Sequence, residues 1–458
     1  MSVSPARTIA FDALRRVEAE AAYASDVLHS ELNASVKPED AALATELTLG
    51  VLRWRGLLDF LLERLLGKPV SKLDLPVALA LRLGLYQLRF LERVPARAAV
   101  NESVELVKRA RKASAATLVN AVLRRAATET REPAERFLFP NISPVERIAI
   151  LHSHPTWMVQ RWLAQFGKSR TIALLEANNR PPRLTCSVHD ASHRDEILGE
   201  LPKFGLRIEP GQLLKTAFAV SGGSPIRTDA FRRGAISIQD EASQAVPLLL
   251  AVQLGNRVLD LCAAPGGKTP PLVRAAGENG LVIAADRHAH RLRAMRAQFE
   301  RLRLSGINLV ELDAQKPLPF LAQFHRILVD APCSGTGTLA RHPEIRWRLK
   351  PDQLAELHNL QAAILASALE TLAPGGRLVY STCSLEPEEN EDVIAEVAQT
   401  HPHIRPAPTS EAAEALAAHL GPGVEPASLF DVAGHFRTLP GQQPSDGFFA
   451  AVLEPARG

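Results

Sequence analysis

Apolar residues recur every three or four positions along the N-terminal part of the chain, from about residue 5 to residue 128. This spacing predicts amphipathic helices, because it places the apolar side chains on one helix face. Short breaks with proline or glycine, near Pro38 and Gly67, separate the periodic segments. Residues 1–130 are therefore predicted to form an all-α domain.

From residue 236 onward the period changes, and short apolar runs alternate with helical segments. The runs read RVLDL, LVIAAD, INLVELD, RILVDAP, GGRLVYSTCS and GFFAAVL. Strands that alternate with helices of about 10–15 residues indicate βαβ units around a parallel sheet. Residues 236–458 are therefore predicted to form an α/β domain, with the Pro-, Ala- and Gly-rich residues 400–438 as an irregular insertion.

Two stretches between these domains lack a sustained period. Residues 131–147 mix polar residues with prolines, which predicts a linker. Residues 148–235 begin with a helical segment and continue with mixed apolar and polar runs. They are predicted to form a small α/β subdomain.

The composition is that of an ordinary globular protein, with 46% hydrophobic and 22% charged residues. Since the net charge is only +3, an RNA-binding surface has to come from local clusters of basic residues. One cluster lies near the end of the predicted all-α domain, and a segment with six arginines lies between residues 287 and 303. Each is either a solvated helix face or a set of phosphate contacts. The first cluster consists of Arg109, Arg111, Lys112, Arg124 and Arg125.

The chain contains four cysteines, and no two of them form a C-x-x-C pair. The sequence has no compact Cys/His cluster, and its three His-x-His pairs indicate a metal only weakly, so we expect no metal site. Charges are scattered through the N-terminus, and no run of 18 apolar residues occurs. We therefore expect neither a signal peptide nor a membrane-spanning helix, but a cytoplasmic protein with reduced thiols.

The segment VLDLCAAPGGKT, residues 258–269, resembles a phosphate-binding P-loop at its end. A P-loop has the pattern G-x-x-x-x-G-K-[ST] after a strand, and the Gly-Lys-Thr ending fits it. Cys262, however, stands where the first glycine belongs, and Pro265 removes a backbone N–H that would bind phosphate. Asp330 would be the Mg²⁺-binding aspartate of such a site. The other interpretation is a nucleoside site at the carboxyl end of a doubly wound sheet.

Three predicted strands in succession end in an aspartate, namely Asp286, Asp313 and Asp330. A single aspartate after a strand is most often a helix N-cap. Three at one edge favour a shared ligand, because the carboxyl ends of parallel strands meet there. Asp286 would accept the two ribose hydroxyls, and Asp313 the adenine amino group. Since the sequence has no second phosphate loop, the predicted cofactor is S-adenosyl-L-methionine, which combines adenine and a ribose diol with a cationic sulfonium.

Two cysteines follow predicted strands at that edge, Cys333 in DAPCSGTG and Cys383 in STCS. An isolated cysteine is usually a small buried apolar residue, but these two lie in polar loops. Beside a methyl donor a thiolate has a specific use, because its addition to C6 of a pyrimidine makes C5 nucleophilic enough to take a methyl group. If its carboxyl group or N3 of the base is protonated, Asp330 would bind the N3/N4 edge of a cytosine that is unpaired or flipped out. Lys268 would orient Asp330 or a loop carbonyl.

These segments resemble those of a known family. LDLCAAPGGKT, DAPCSGTG, RHPEIRW, LAPGGRLVYSTCSLEPEENE and DGFFAAVL are closely similar to motifs of the RNA 5-methylcytosine methyltransferases of the Nop2/Sun type. GVLRWRGLLDFLLERLL, PARAAVNESVELVKRA and LVNAVLRR resemble the NusB-like RNA-binding domain of the family's bacterial 16S rRNA member. The resemblance covers nearly the whole chain, and it departs at RLTCSVH, where the family often has an Arg-Val-Asn-like strand.

The resemblance implies a multidomain enzyme with an all-α NusB-like domain, a small α/β subdomain and a Rossmann-like α/β methyltransferase domain. It implies methylation of C5 of a specific cytosine in 16S rRNA through a covalent adduct between a cysteine and C6. It makes Cys383 the nucleophile and gives Cys333 a role in product release. The implied cofactor contacts are Cys262, Ala263, Ala264, Pro265, Gly266, Gly267, Lys268, Asp286, Asp313 and Asp330.

Three residues that follow the Pro-Cys loop, Arg341, His342 and Arg346, are predicted to contact the RNA backbone. Three alternative functions stay open. They are methylation of another RNA such as tRNA by the same mechanism, a non-catalytic NusB-like RNA-binding assembly factor, and a P-loop ATPase. The sequence implies no particular oligomer.

Overall fold

The computed structural model describes residues 3–32, 36–129 and 142–456. Contacts divide the chain into two units. Met1–Pro181 and Leu339–Leu349 form the first, called here the helical unit. Pro182–Thr338 and Lys350–Gly458 form the second, called the α/β unit.

The helical unit follows the predicted periodicity, and the apolar faces of its first helices share one core around buried leucines such as Leu14, Leu58 and Leu81. Proline occupies the first turn of several helices, where a missing N–H breaks no bond, and Gly67 ends the longest helix with a φ of 67°. The helices are α1 (Pro5–Ala19), α2 (Ala24–Glu31), α3 (Pro38–Leu66), α4 (Leu75–Phe90), α5 (Ala96–Arg109), α6 (Ala116–Glu129), α7 (Pro144–Leu151), α8 (Thr156–Asn178) and, from the later segment, α14 (Ile345–Arg348).

A small antiparallel sheet begins the α/β unit. Its elements are β1 (Leu184–Val188), α9 (Arg194–Glu200), β2 (Arg207–Pro210), β3 (Ala217–Ser221), α10 (Asp229–Arg232) and β4 (Ile236–Ile238). The strand order is β2-β3-β1-β4. Ile197 and Ala230 from the two helices share a core with Cys186 and Phe218 from the strands. Because β4 pairs with β1, the small sheet extends past the boundary predicted at residue 236.

A larger mixed sheet follows. Its strands are β5 (Arg257–Leu261), β6 (Leu281–Asp286), β7 (Ile307–Glu311), β8 (Phe324–Asp330), β9 (Leu372–Thr382), β10 (Ile404–Pro406), β11 (Phe436–Thr438) and β12 (Phe448–Pro455), and the accompanying helices are α11 (Glu241–Ala245), α12 (Thr269–Ala276), α13 (Ala289–Arg301), α15 (Gln353–Leu369), α16 (Glu391–Thr400) and α17 (Thr409–Ala417). The order is β10-β12-β9-β8-β5-β6-β7, with β11 paired to β12. Strands β5 to β9 run parallel, and β12 pairs antiparallel with β9. Val258 and Leu259 belong to different apolar cores, because successive side chains of a strand point to opposite faces.

The structure confirms the predicted architecture, and the six predicted strands are β5, β6, β7, β8, β9 and β12. The prediction of an irregular insertion at residues 400–438 is wrong, because β10, α17 and β11 lie within it. Of the predicted linker, residues 131–141 lie outside the described residues, and α7 already begins at Pro144. Contacts group α7 and α8 with the helical unit, whereas the prediction placed residues 148–235 in one subdomain. The other domain boundaries stay predictions.

Candidate active site

The predicted cofactor loop lies at the carboxyl end of β5 and leads into α12. Cys262 turns the chain after the strand with a φ of 68°, which residues other than glycine rarely adopt. The Ala264–Pro265 peptide bond is cis. Gly266 has a φ of 95°, and a Cβ there would lie 3.1 Å from Met295 Cγ. Glycine therefore suits position 266, where the loop backbone packs against Met295 and Phe299 of α13.

Asp286 connects this loop to the end of β6. Its almost fully buried carboxylate accepts the Ala264 N–H at 3.3 Å and the His288 N–H at 2.9 Å. Asp313 follows the neighbouring strand β7, and hydrogen bonding to the Gln315 backbone lowers its pKa. Each of the two strand ends thus carries a carboxylate that can accept hydrogen bonds. The predicted cofactor offers suitable donors, namely its ribose hydroxyls for Asp286 and its adenine amino group for Asp313.

Lys268 and Asp330 form an ion pair between the cofactor loop and the end of β8. Lys268 Nζ lies 2.7 Å from Asp330 Oδ2, and the Ser381 hydroxyl donates to Asp330 Oδ1 at 3.0 Å. The ammonium also lies 5.1 Å from the centre of the Phe448 ring. The expected contact between Lys268 and Asp330 is present, and the aspartate is held from two sides.

The Gly-Lys-Thr ending is not arranged as in a P-loop. The Thr269 hydroxyl, which would bind Mg²⁺ in such a site, donates to Asp260 Oδ2 at 2.7 Å. Asp260 lies in β5 without exposed surface, and burial raises its pKa to about 7. Since Lys268 is paired with Asp330, both side chains that a P-loop offers to phosphate and metal are engaged by carboxylates of this chain. The arrangement argues against the ATPase interpretation.

The two loop cysteines meet at the same edge. Cys333 Sγ and Cys383 Sγ lie 3.3 Å apart, and both residues are partly exposed. The hydrogen bond with Cys383, together with burial, raises the pKa of the Cys333 thiol well above its ordinary value. Burial also raises the pKa of Cys262, and Cys186 is fully buried in the small sheet. The two cysteines predicted to do chemistry are therefore the two that lie together.

Three polar residues of the site escape the sequence analysis: Asp260, Ser381 and Glu389. Glu389 is fully buried and accepts hydrogen bonds from both cysteine loops. One signal for it is present in the sequence, because a serine directly follows each cysteine, in PCS and in TCS. Two hydroxyls at equivalent positions indicate a shared acceptor.

The predicted RNA contact at Arg346 is wrong. This residue has no exposed surface, and it belongs to the segment that packs within the helical unit. Its guanidinium donates to Ser153 O and Asn178 O, both at 3.1 Å, and to Asn179 Oδ1 at 2.9 Å. A guanidinium enclosed by acceptors of its own chain is not available to an RNA phosphate.

The other two predicted RNA contacts, Arg341 and His342, are partly exposed in the same segment. The His342 ring meets the Tyr23 ring edge-on, with 5.6 Å between the centroids. Burial lowers the pKa of His342, which favours the neutral ring. RNA contact by these two residues stays a prediction.

Ion pairs account for part of the basic cluster in the helical unit. Arg109 makes two bonds to Asp12, of 3.0 and 2.7 Å, and Lys112 lies 2.7 Å from Asp74. These pairs favour a solvated, ion-paired helix face over a phosphate-binding one. Among the described residues, no group of three metal-ligating side chains comes together, and none of the helices is long and apolar enough to cross a membrane.

Known protein families match three successive parts of the chain. The model of the 16S rRNA methyltransferase RsmB/F family matches residues 247–454, and that of the NusB family matches residues 4–128. A ferredoxin-like domain of RsmF/B-like methyltransferases matches residues 154–227.

Individual relatives are similar over most of the chain. The probable ribosomal RNA small subunit methyltransferase B of Bacillus subtilis (strain 168) is 34% identical over 457 residues, 99% of each chain. The ribosomal RNA small subunit methyltransferase B of Pseudomonas putida is 38% identical over 363 residues, 78% of this chain and 81% of the relative. A crystal structure of a methyltransferase homolog protein from Pyrococcus horikoshii is 29% identical, with a TM-score of 0.56, and covers 68% of this chain and 99% of its own.

Proposed function

Because the chain belongs to the 16S rRNA methyltransferase RsmB/F family, we propose that it methylates carbon 5 of a specific cytosine in 16S rRNA through a covalent cysteine adduct. The observation that carries this proposal is the pair of sulfurs 3.3 Å apart, in the loops after β8 and β9. Cytosine C5 is too weak a nucleophile to take a methyl group unaided, whereas a nitrogen or a ribose hydroxyl needs no thiolate. Paired thiols therefore favour carbon as the methyl acceptor.

The proposed methyl donor is S-adenosyl-L-methionine, which supplies a methyl group on a cationic sulfonium. Cys262 to Lys268 would line it, Asp286 would accept the ribose hydroxyls, and Asp313 would accept the adenine amino group. Support comes from the loop backbone, which is hydrogen-bonded to Asp286 at the adjacent strand end. The methyl group would thus be presented at the edge where the thiols lie.

Cys383 acts as the nucleophile in this proposal. Its thiolate bonds to C6 of the flipped-out cytosine, C5 takes the methyl group, and the electron pair of the donor's carbon–sulfur bond stays on the donor sulfur. The C5 proton then leaves, and the S–C6 bond breaks with its electron pair returning to Cys383. This regenerates the thiolate and releases 5-methylcytosine. Asp330, held by Lys268 and Ser381, would accept a hydrogen bond from the N4 amino group of the base and, where N3 is protonated, a second one from N3–H.

Cys333 is suited to assist the release step. The hydrogen bond with free Cys383 is the largest cause that raises its pKa. Once the Cys383 sulfur is bonded to C6, neither that hydrogen bond nor a neighbouring thiolate charge is left, so the pKa of Cys333 falls. Cys333 then releases its proton to solvent, and the thiolate takes the C5 proton. This contact supports the order of the two roles that the family resemblance implies.

Methylation of isolated RNA tests the proposal. Purified protein is incubated with methyl-labelled S-adenosylmethionine and either unmodified 16S rRNA or small subunits that carry it, and the RNA is digested to nucleosides. We expect the label in 5-methylcytidine, at a single position by bisulfite mapping. Label in another nucleoside would contradict the C5 assignment, and label only in a tRNA mixture, used as the control substrate, would contradict the 16S substrate.

A further inference from the structure

Glu389 is a buried carboxylate on which donors from three segments converge. It ends the short turn Pro387–Glu389 and has no exposed surface. Oε1 accepts the Ser334 N–H at 2.8 Å and the Gln361 side-chain amide at 3.0 Å. Oε2 accepts the hydroxyls of Ser334 and Ser384. All four bonds lead to the two cysteine loops or to α15 beside them.

The two serines are the direct neighbours of the reactive thiols. Ser334 follows Cys333, and Ser384 follows Cys383. Their hydroxyl oxygens lie 3.1 Å from each other, and both donate to the same oxygen of Glu389. One carboxylate oxygen thus sets the spacing of the residues that follow the two sulfurs.

Gln361 extends this arrangement to the other side of Cys333. The same amide nitrogen that donates to Glu389 also donates to Pro332 O at 2.8 Å. The backbone before and after Cys333 is therefore fixed to Glu389, on one side through Gln361 and on the other directly.

We propose that Glu389 is a positioning residue for methyl transfer, and that its carboxylate fixes the Cys333 and Cys383 sulfurs at the separation that adduct formation and release require. This inference rests on the proposed function. Burying a carboxylate is unfavourable unless its partners compensate, and here four donors from the two cysteine loops and α15 do so. The carboxylate therefore joins the segments that carry the two thiols.

Other bonds keep the two loops joined when Glu389 is changed. The Gly337 N–H donates to Cys383 O at 2.8 Å, and the Leu385 N–H donates to Thr336 Oγ1 at 2.9 Å. A variant at Glu389 should consequently fold, while the residues beside the sulfurs lose their common acceptor. A loss of activity in a folded Glu389 variant therefore reports on the positions of the thiols and not on the stability of the protein.

The first test compares Glu389→Gln with Glu388→Gln, a neighbouring carboxylate that makes none of the four bonds. Two of the four donors bond to each carboxylate oxygen of Glu389. In either orientation of the glutamine side chain, its NH2 group therefore faces two other donors, and the loops must shift. Since displacement of reacting groups by about 1 Å lowers rates by about 100-fold, we expect kcat of Glu389→Gln to fall roughly 10- to 100-fold. KM for RNA should stay within about threefold of wild type, and Glu388→Gln should retain wild-type kcat.

The second test measures the thiol pair without RNA. Phenylarsine oxide binds two adjacent thiols by exchanging its As–O bond for two As–S bonds, and the thiol protons leave as water. We expect tight binding by wild type and Glu388→Gln, and binding at least about tenfold weaker by Glu389→Gln, towards the level of Cys333→Ala. Equal phenylarsine oxide affinity and equal kcat in wild type and Glu389→Gln would overturn the positioning role. If wild-type protein methylates no cytosine while the arsenical distinguishes the variants, the proposed function fails and the thiol geometry stands.

Discussion

At the scale of single residues, the Cys333 thiol changes its acidity during the proposed reaction. Two main causes raise its pKa: the larger is the hydrogen bond with Cys383, and the other is burial. Adduct formation at Cys383 removes the first cause, so Cys333 becomes a usable base only after the adduct has formed. The free enzyme therefore holds a protonated thiol beside its nucleophile.

Cys333→Ala should separate methyl transfer from release. The variant keeps the nucleophile, so methyl transfer and adduct formation proceed, but loss of an acid–base group slows release by roughly 100-fold or more. A denaturing gel of protein mixed with labelled rRNA measures the adduct, which should accumulate in the variant and not in wild type. Rapid normal turnover by Cys333→Ala would remove Cys333 from the release step.

Sequence reasoning finds most of the residues that meet at this edge of the sheet and the contact between Lys268 and Asp330, but not the contacts of Glu389. The aspartates at strand ends and the cysteines after strands are visible because parallel strands bring their carboxyl ends to one edge. Beyond the serines that follow the two cysteines, the sequence gives no signal for Glu389, because its four bonds depend on how two loops and α15 fold together. The order of the two cysteines came only from the family resemblance.

At the scale of secondary-structure elements, one buried pair joins β5 to α12. The Thr269 hydroxyl at the start of α12 donates to Asp260, and burial raises the pKa of Asp260 from 3.8 to about 7. Between these two pKa values the folded protein binds more protons than the unfolded chain at this group. Its contribution to stability is therefore fully present below pH 3.8 and is lost as the pH rises through about 7.

Asp260→Asn should stabilise the protein at alkaline pH. Asparagine keeps an oxygen acceptor for Thr269 and carries no charge, so the cost of ionising a buried carboxylate disappears. The gain over wild type should grow from the unfolded pKa of 3.8 to the folded pKa of about 7 and then level off, by at most about 1.4 kcal/mol for each pKa unit of the shift. Urea unfolding of both proteins across this range measures the difference, and a difference independent of pH would contradict the account.

The sequence pattern predicts the longer helices and strands but not the strands of three residues. The strands β5, β6 and β12 and the helices α13 and α15 have enough residues for a period to be visible. β4, β10 and β11 have three residues each, and they form through pairing with distant strands. Residues 400–438 therefore look irregular in the sequence although two strands and a helix lie there.

At the scale of the whole molecule, one segment belongs to a different unit from the residues that precede and follow it in sequence. Leu339–Leu349 lies between two strands of the large sheet in sequence, yet it packs within the helical unit. Arg346, Trp347 and Arg348 donate from this segment to backbone carbonyls of the helical unit, Trp347 Nε1 to Leu52 O at 2.6 Å among them. No local pattern reveals such a return, and for this reason Arg346 resembled an RNA contact.

Arg346→Ala and Arg341→Ala should therefore behave in opposite ways. Loss of the buried guanidinium leaves several acceptors unpaired, each at about 1–3 kcal/mol, so Arg346→Ala should lower the free energy of unfolding. Loss of the partly exposed Arg341 should lower stability less than loss of Arg346 does, and it should weaken RNA binding. Urea unfolding and salt-dependent RNA binding measure the two effects, and wild-type stability of Arg346→Ala would contradict its structural role.

Covalent trapping tests the central claim, that Cys383 attacks C6 of a cytosine in 16S rRNA, most directly. When 5-fluorocytosine replaces the target base, C5 carries a fluorine in place of its hydrogen. A base can remove the hydrogen as a proton but cannot remove the fluorine in this way, so the adduct persists after methyl transfer. Wild-type protein and Cys333→Ala should form a complex with this RNA that survives denaturation and depends on S-adenosylmethionine, and Cys383→Ala should form none. A methyl-donor-dependent complex with Cys383→Ala, or methylation by wild type without any complex, would contradict the account.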